Sequence, residues 1–175
     1  MEGLPPARAF NVLVLCTHNA ARSVMGEAML NHLASAAGHP VRAYSAGSAP
    51  AGQVHPMALR VLDDAGVDTT GLASKSWDRF CGDGAPSLDL VITVCDNAAG
   101  EACPLFESTP GRRPVRAHWS YPDPSGAPGD GDARRRAFDL TRQALGYRMA
   151  RLLALPLGDL TDGDLLRSVQ DIARC

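Results

Sequence analysis

Cys16 and Arg22 are separated by five residues in the stretch Leu15-Cys16-Thr17-His18-Asn19-Ala20-Ala21-Arg22-Ser23. A cysteine works as a nucleophile through its thiolate. An arginine offers a planar fork that grips a tetrahedral oxyanion through two hydrogen bonds. A loop between a buried strand and a helix N-terminus turns successive N–H groups inward, and with the helix dipole they form an anion cradle. Cys16, Thr17, His18, Asn19, Ala20, Ala21, Arg22 and Ser23 would line it. Its field is expected to lower the Cys16 pKa from a free value of about 8.5 and aim the sulfur at the centre of a captured oxyanion. Ser23 can donate its hydroxyl to the thiolate, Asn19 braces the loop, and His18 reads as pointing to solvent.

Four more cysteines follow, at Cys81, Cys95, Cys103 and Cys175. An odd count with no secretory leader reads as free thiols in a reducing cytoplasm, where cysteines act as nucleophiles, ligands or redox partners. C-x2-C spacing is lacking and no His pair stands at ligand distance, which speaks against zinc. Asp123, between two prolines in Tyr121-Pro122-Asp123-Pro124, is a carboxylic acid on a loop, where a general acid is often carried.

These residues need a frame. Phe10 to Leu15 is the near-continuous apolar run of a buried parallel strand, and it ends on Cys16. Val24 to Ala37 places Met25, Ala28, Met29 and Leu33 at helical spacing, with Ser23 at the N-cap and Gly38 as the stop. Val41 to Ser45 predicts a second strand, and Pro56 opens a helix that Gly66 ends. Ser74 to Phe80 is a short helix or turn. Leu88 to Val94 is a third strand that also ends on a cysteine, Cys95, and Ala117 to Trp119 is a fourth. Residues 121–132, rich in Pro, Gly and Asp, form a long loop. Helices over Ala133 to Leu155 and Asp162 to Ala173 complete the chain. Strands alternating with helices give an α/β three-layer sandwich on a parallel sheet, whose ligands sit beyond the carboxyl ends of the strands. Cys16 and Cys95 both fall there.

The 175 residues are a single-domain length, and 45% hydrophobic content suffices for one core. Residues 1–9, with two prolines and no apolar run, read as a disordered tail, and residues 10–175 as one domain. Seventeen basic against nineteen acidic residues leave a net charge of −2. That balance argues against a nucleic-acid or anionic-membrane binder, and no run approaches the roughly 18 apolar residues of a membrane span.

LCTHNAARS, YSAGS, SKSWD, VITVCDNAAGEACP and PDPSG, in that order from Asn11 to the long helix, resemble the arsenate reductases built on the low-molecular-weight tyrosine phosphatase fold. The resemblance implies a four-stranded parallel sheet flanked by helices, and reduction of arsenate to arsenite through a thiol cascade that detoxifies arsenic. On that pattern Cys16 attacks arsenate, with phosphate or sulfate as competing oxyanions, and Asp123 protonates the departing oxygen. Cys95 then attacks the sulfur of Cys16, and Cys103 converts the Cys16–Cys95 disulfide into Cys95–Cys103. No cofactor is tightly bound. Thioredoxin reduces the last disulfide, or glutaredoxin with glutathione, or mycothiol, in members that lack the third thiol. Eight residue steps between Cys95 and Cys103 span about 12 Å along a helix, against the roughly 5.5–6 Å that a disulfide sets between Cα atoms. Residues 96–103 are therefore expected to fold back or unwind. Some members hold potassium near the cradle, and Asn19, Ser45, Ser76 and Asp78 are loose matches to its ligands. Cys81 and Cys175 fall outside the pattern.

Two other readings stand beside this one. A small protein-tyrosine phosphatase needs one thiolate, an acid and water, with no further cysteine. Here Ser125 and Gly126 follow Asp123 where such phosphatases carry aromatic residues, and Ala21 stands where they tend to place a cysteine. An oxyanion- or redox-sensing module would bind or oxidise without turnover.

Overall fold

The computed structural model describes residues 9–82, 84–100, 106 and 113–175. Four strands, β1 (Phe10–Leu15), β2 (Val41–Ala46), β3 (Leu90–Thr93) and β4 (Val115–His118), form one parallel sheet in the order β2-β1-β3-β4. The register sets Leu15 opposite both Ala46 and Thr93, so three strand ends reach the same level. Helices α1 (Arg22–Ala37), α2 (Pro56–Asp64), α3 (Asp96–Gly100), α4 (Gly131–Leu153) and α5 (Asp162–Ile172) complete the described elements, with 3₁₀ turns at Trp77–Phe80 and Pro124–Gly126.

Strand alternation divides the core in two. Val12, Val14, Leu90 and Ile92 face α1, α2, α4 and α5 in the larger cluster, together with Trp119, Tyr121 and Phe138. Leu13, Leu15 and Val91 face the other way, under Phe80, Leu88 and Phe106. The parallel four-stranded sheet expected from the alternation of elements is present, and β1 is covered on both faces as its unbroken apolar run requires.

Local chemistry moved several boundaries. α1 starts at Arg22, with Ala21 in the N-cap position and no side-chain cap; Ser23 is buried inside the first turn, because its hydroxyl is taken by Asn19. The expected Ser23 cap is therefore corrected. α4 begins at Gly131, two residues early, since the Asp130 carboxylate accepts the Ala133 N–H at 2.9 Å. β4 runs Val115–His118, and Trp119 keeps one further ladder bond, its N–H donating to the Thr93 carbonyl at 2.8 Å. Within the long loop, Asp123 caps the 3₁₀ turn that follows it. Among the described residues no helix is long and apolar enough to cross a membrane.

Candidate active site

The loop from Cys16 to Arg22 takes its shape from what holds its carbonyls. Thr17 O accepts from Ala49 N at 2.9 Å, and His18 O accepts from Ala51 N at 2.9 Å and Ser74 Oγ at 3.1 Å. Ala20 O accepts from His55 N at 2.8 Å, and Ala21 O from Met25 N at 2.8 Å. With these carbonyls turned outward, the amides of Ala20, Ala21, Arg22 and Ser23 meet no acceptor among the described residues and are left for an anion. Asn19 makes the turn at φ 45°, a left-handed conformation that Asn tolerates better than most residues. Its side chain fixes that turn from both ends: Nδ2 donates to Ser23 Oγ at 2.8 Å and Oδ1 accepts the Lys75 N–H at 2.8 Å. Asn19 is thus the brace the sequence suggested, and His18 is exposed as expected.

Gly47 allows β2 to approach this loop. A Cβ there would lie 2.4 Å from Thr17 O and 2.6 Å from Cys16 O, both backbone atoms that a side chain cannot push aside. The glycine is the G of YSAGS, whose role no local pattern discloses.

Cys16 and Cys95, at the ends of adjacent strands, are both buried and face one another. Around Cys95 Sγ gather Thr17 N–H at 3.4 Å, Thr17 Oγ1 at 3.7 Å and Ala98 N–H at 3.4 Å. The hydrogen bond from the Cys16 thiol, joined by the N–H groups of Ala98 and Thr17, draws the Cys95 pKa down to about 5 against the opposing effect of burial. Cys16 moves the other way: donating that bond to Cys95, and its own burial, raise its pKa despite the Arg22 charge and the His18 N–H. The two sulfurs titrate as a unit with one proton between them. In the unliganded site the shared charge is drawn towards Cys95, whereas the loop taken alone would set it on Cys16. The physical reason is a second sulfur with more donors at its disposal, which a reading of the loop alone leaves out.

Arg22 is largely buried. Its Nη1 donates to the Tyr121 carbonyl at 2.8 Å, and its Nη2 lies 3.9 Å from Asp123 Oδ2. Burial pushes the Asp123 carboxyl up, but hydrogen bonds from the Ser125 hydroxyl (2.7 Å) and N–H (3.0 Å), with the Arg22 and His18 charges, outweigh it. Asp123 is an ionised, half-exposed group at the rim in this state.

Asn19, Ser45 and Ser76, three of the loose potassium matches, already have polar partners. Ser45 Oγ donates to Glu27 Oε1 at 2.8 Å, and the Lys75 ammonium lies 3.5 Å from the same oxygen, with only 14% and 12% of the Lys75 and Glu27 side chains exposed. Ser76 Oγ accepts the Asp78 N–H at 3.1 Å. The Lys75 ammonium thus stands close to Ser45, one of the four loose matches to potassium ligands. No cluster of three or more His, Cys, Asp or Glu among the described residues could hold a metal ion. Cys103 lies outside the described residues, as do residues 101 and 102 of the stretch expected to unwind; Asp96–Gly100 is a short helix. Cys81 sits half-buried beside Trp77 O, and Cys175 is exposed at the terminus.

The profile of the low molecular weight phosphotyrosine protein phosphatase family matches residues 11–154. A protein named arsenate reductase from Bacillus licheniformis is 33% identical over 141 residues, covering 80% of this chain and 92% of that protein. A solved arsenate reductase in its reduced state superposes with a TM-score of 0.61 at 25% identity, covering 83% of this chain and 97% of the other. The thioredoxin-dependent arsenate reductase of Corynebacterium glutamicum superposes at 0.52 with 25% identity, covering 83% of this chain and 64% of the other. With a strand-end cysteine, an outward-bonded loop and an arginine in the places that fold provides, the chain belongs to the low molecular weight phosphotyrosine protein phosphatase family.

Proposed function

We propose that this protein is an arsenate reductase, and that Cys16, Arg22, Asp123, Cys95 and Cys103 carry the reaction. The observation that supports it most is the second sulfur: Cys95 faces Cys16 at the cradle and is surrounded by donors that favour its thiolate. A phosphatase has no use for it. Relatives named arsenate reductase, from Bacillus licheniformis and Bacillus subtilis, support the same reading.

Arsenate enters the cradle with its oxygens on the loop amides from Ala20 to Ser23 and on the Arg22 fork. Phosphate and sulfate share that geometry and compete. The shared proton moves off Cys16 towards Cys95 as the Cys16 sulfur bonds to arsenic. An As–O bond breaks, and the oxygen leaves as water after taking a proton from Asp123. The negative oxyanion beside Asp123 raises its proton affinity, opposing the Ser125 bonds and the Arg22 charge that ionise it at rest. Cys95 then passes the shared proton to an arsenic-bound oxygen and attacks Cys16 Sγ. The S–S bond forms, the S–As bond breaks, and the electron pair stays on arsenic, which departs as arsenite. Cys103 resolves the disulfide into Cys95–Cys103, and an external dithiol reduces it. Thioredoxin is the donor favoured here, by the likeness to a thioredoxin-dependent reductase; glutaredoxin with glutathione is the alternative. Turnover of this kind places the protein in a reducing compartment, the cytoplasm.

The test is arsenate-dependent NADPH oxidation with a thioredoxin system. Cys16→Ser and Cys95→Ser should each lose at least about 10³-fold in rate, as removal of a covalent participant does. Aryl-phosphate hydrolysis that survives Cys95→Ser, with no arsenite formed by the wild type, would instead identify a phosphatase.

A further inference from the structure

The family match ends at residue 154, and α5 lies beyond it. This helix is anchored, not appended: Leu165, Val169 and Ile172 are buried in the larger core, and the indole N–H of the fully buried Trp119 donates to the Val169 carbonyl at 2.9 Å. From α4, Arg148 Nη2 donates to the Ala173 carbonyl at 3.1 Å, at the C-terminal end of α5 where the helix dipole favours a cation. That bond holds the guanidinium 4.8 Å above the centre of the Tyr121 ring and 6.0 Å from that of Trp119. Tyr121 in turn supplies the carbonyl that fixes Arg22 Nη1 at 2.8 Å.

We infer that α5 and Arg148 position the oxyanion-binding arginine: the end of α5 orients Arg148, Arg148 clamps the Tyr121 ring, and the Tyr121 carbonyl sets the Arg22 fork. The inference rests on the proposed oxyanion role of Arg22. Neither Arg148 nor Tyr121 reaches the substrate, so both are positioning residues. With the clamp removed, the Tyr121 backbone loses its side-chain anchor and Arg22 spends less time in the binding geometry. Oxyanion affinity should then fall more than the rate of the bound complex, because sulfur chemistry at Cys16 and Cys95 is untouched.

The experiment is calorimetric titration of the full-length reduced protein with inorganic phosphate, alongside thermal melts and arsenate KM and kcat. Arg148→Ala should weaken phosphate binding about 10-fold and raise KM by a similar factor, with kcat lowered less than threefold. Arg148→Lys, which keeps the charge but not the planar fork, should recover only part of that loss. Tyr121→Leu should match Arg148→Ala, and the double variant should be no worse than either, as coupled residues require. Arg151→Ala removes a similar stack on the exposed Tyr147, 5.7 Å away and facing solvent, and should leave binding unchanged. Phosphate affinity within twofold of wild type in Arg148→Ala, whatever happens to its melting temperature, would reduce α5 to a stability element. Full recovery by lysine, or additive losses in the double variant, would overturn the clamp equally. Absence of phosphate binding by the wild type would remove the oxyanion reading and this inference with it.

Discussion

The cysteines at the ends of β1 and β3 sit in surroundings of different kinds. Around Cys16 the chain is tied at nearly every step: the carbonyls of Thr17, His18, Ala20 and Ala21 are bonded outward, Asn19 is held at both ends of its amide, and Gly47 admits β2 at close range. Cys95 opens a five-residue helix whose polar side-chain ties to other elements, among the described side chains, are those of Asp96. The Asp96 carboxylate accepts from His118 Nε2 and Ser120 Oγ, each at 3.0 Å and in the open, and His118 Nδ1 pairs with Thr93 Oγ1 at 2.7 Å. One end is built to hold a charge in a fixed place. The other begins on a buried sulfur and is tied just beyond it, at Asp96, by exposed polar contacts that water can replace, which suits a sulfur that must change partners.

The sharpest way to break this contrast is at the rigid end. Gly47→Ala places a methyl carbon against two backbone carbonyls, which typically costs about 1–3 kcal/mol. Phosphate affinity should fall at least about 10-fold with the loop displaced, as measured by titration. An unchanged affinity would mean that the loop yields freely, and the distinction between the two ends would fail.

A second prediction concerns pH. A thiol whose pKa lies near 5 is mostly thiolate at pH 7 and is protonated as pH falls through 5. Iodoacetamide labelling followed peptide by peptide should therefore show Cys95 modified faster than Cys16 at neutral pH in the unliganded protein, with the Cys95 rate falling about 10-fold per unit below pH 5. Faster labelling of Cys16 would place the resting charge on the other sulfur.

The smallest effect belongs to the loosely held end. Asp96→Asn keeps an acceptor for Ser120 but removes the charge that His118 faces. The ties are exposed, so stability should change little, and phosphate affinity by less than twofold. Arsenite release in a single turnover should change a few-fold. A 10-fold loss of phosphate affinity would show that this end shapes the cradle after all.

The sequence made legible whatever depends on neighbours along the chain. The apolar run before Cys16, the cysteine that ends β3, and the C-x5-R spacing are local signals, and they located the sheet, the loop and both sulfurs correctly. The contacts that tune the site are between distant residues. Arg22 meets Tyr121 across 99 residues, and Asn19 meets the Lys75 backbone across 56, so neither pairing leaves a periodic mark. Ser23 was misread for a related reason: a Ser at a helix start favours the N-cap, but a buried partner, Asn19, outcompeted that preference. The pull of charge towards Cys95 follows from the Cys16 thiol and the N–H groups of Ala98 and Thr17, which only the fold places together.

The central claim is that Cys95 takes the electrons' path through Cys16. Its most direct test is a single turnover of Cys103→Ser with one equivalent of arsenate and no added reductant, analysed by mass spectrometry and arsenite determination. One arsenite per chain, accompanied by a Cys16–Cys95 disulfide, is the predicted result. Arsenite formed without that disulfide, or formed equally well in a Cys95→Ser, Cys103→Ser double variant, would contradict the account.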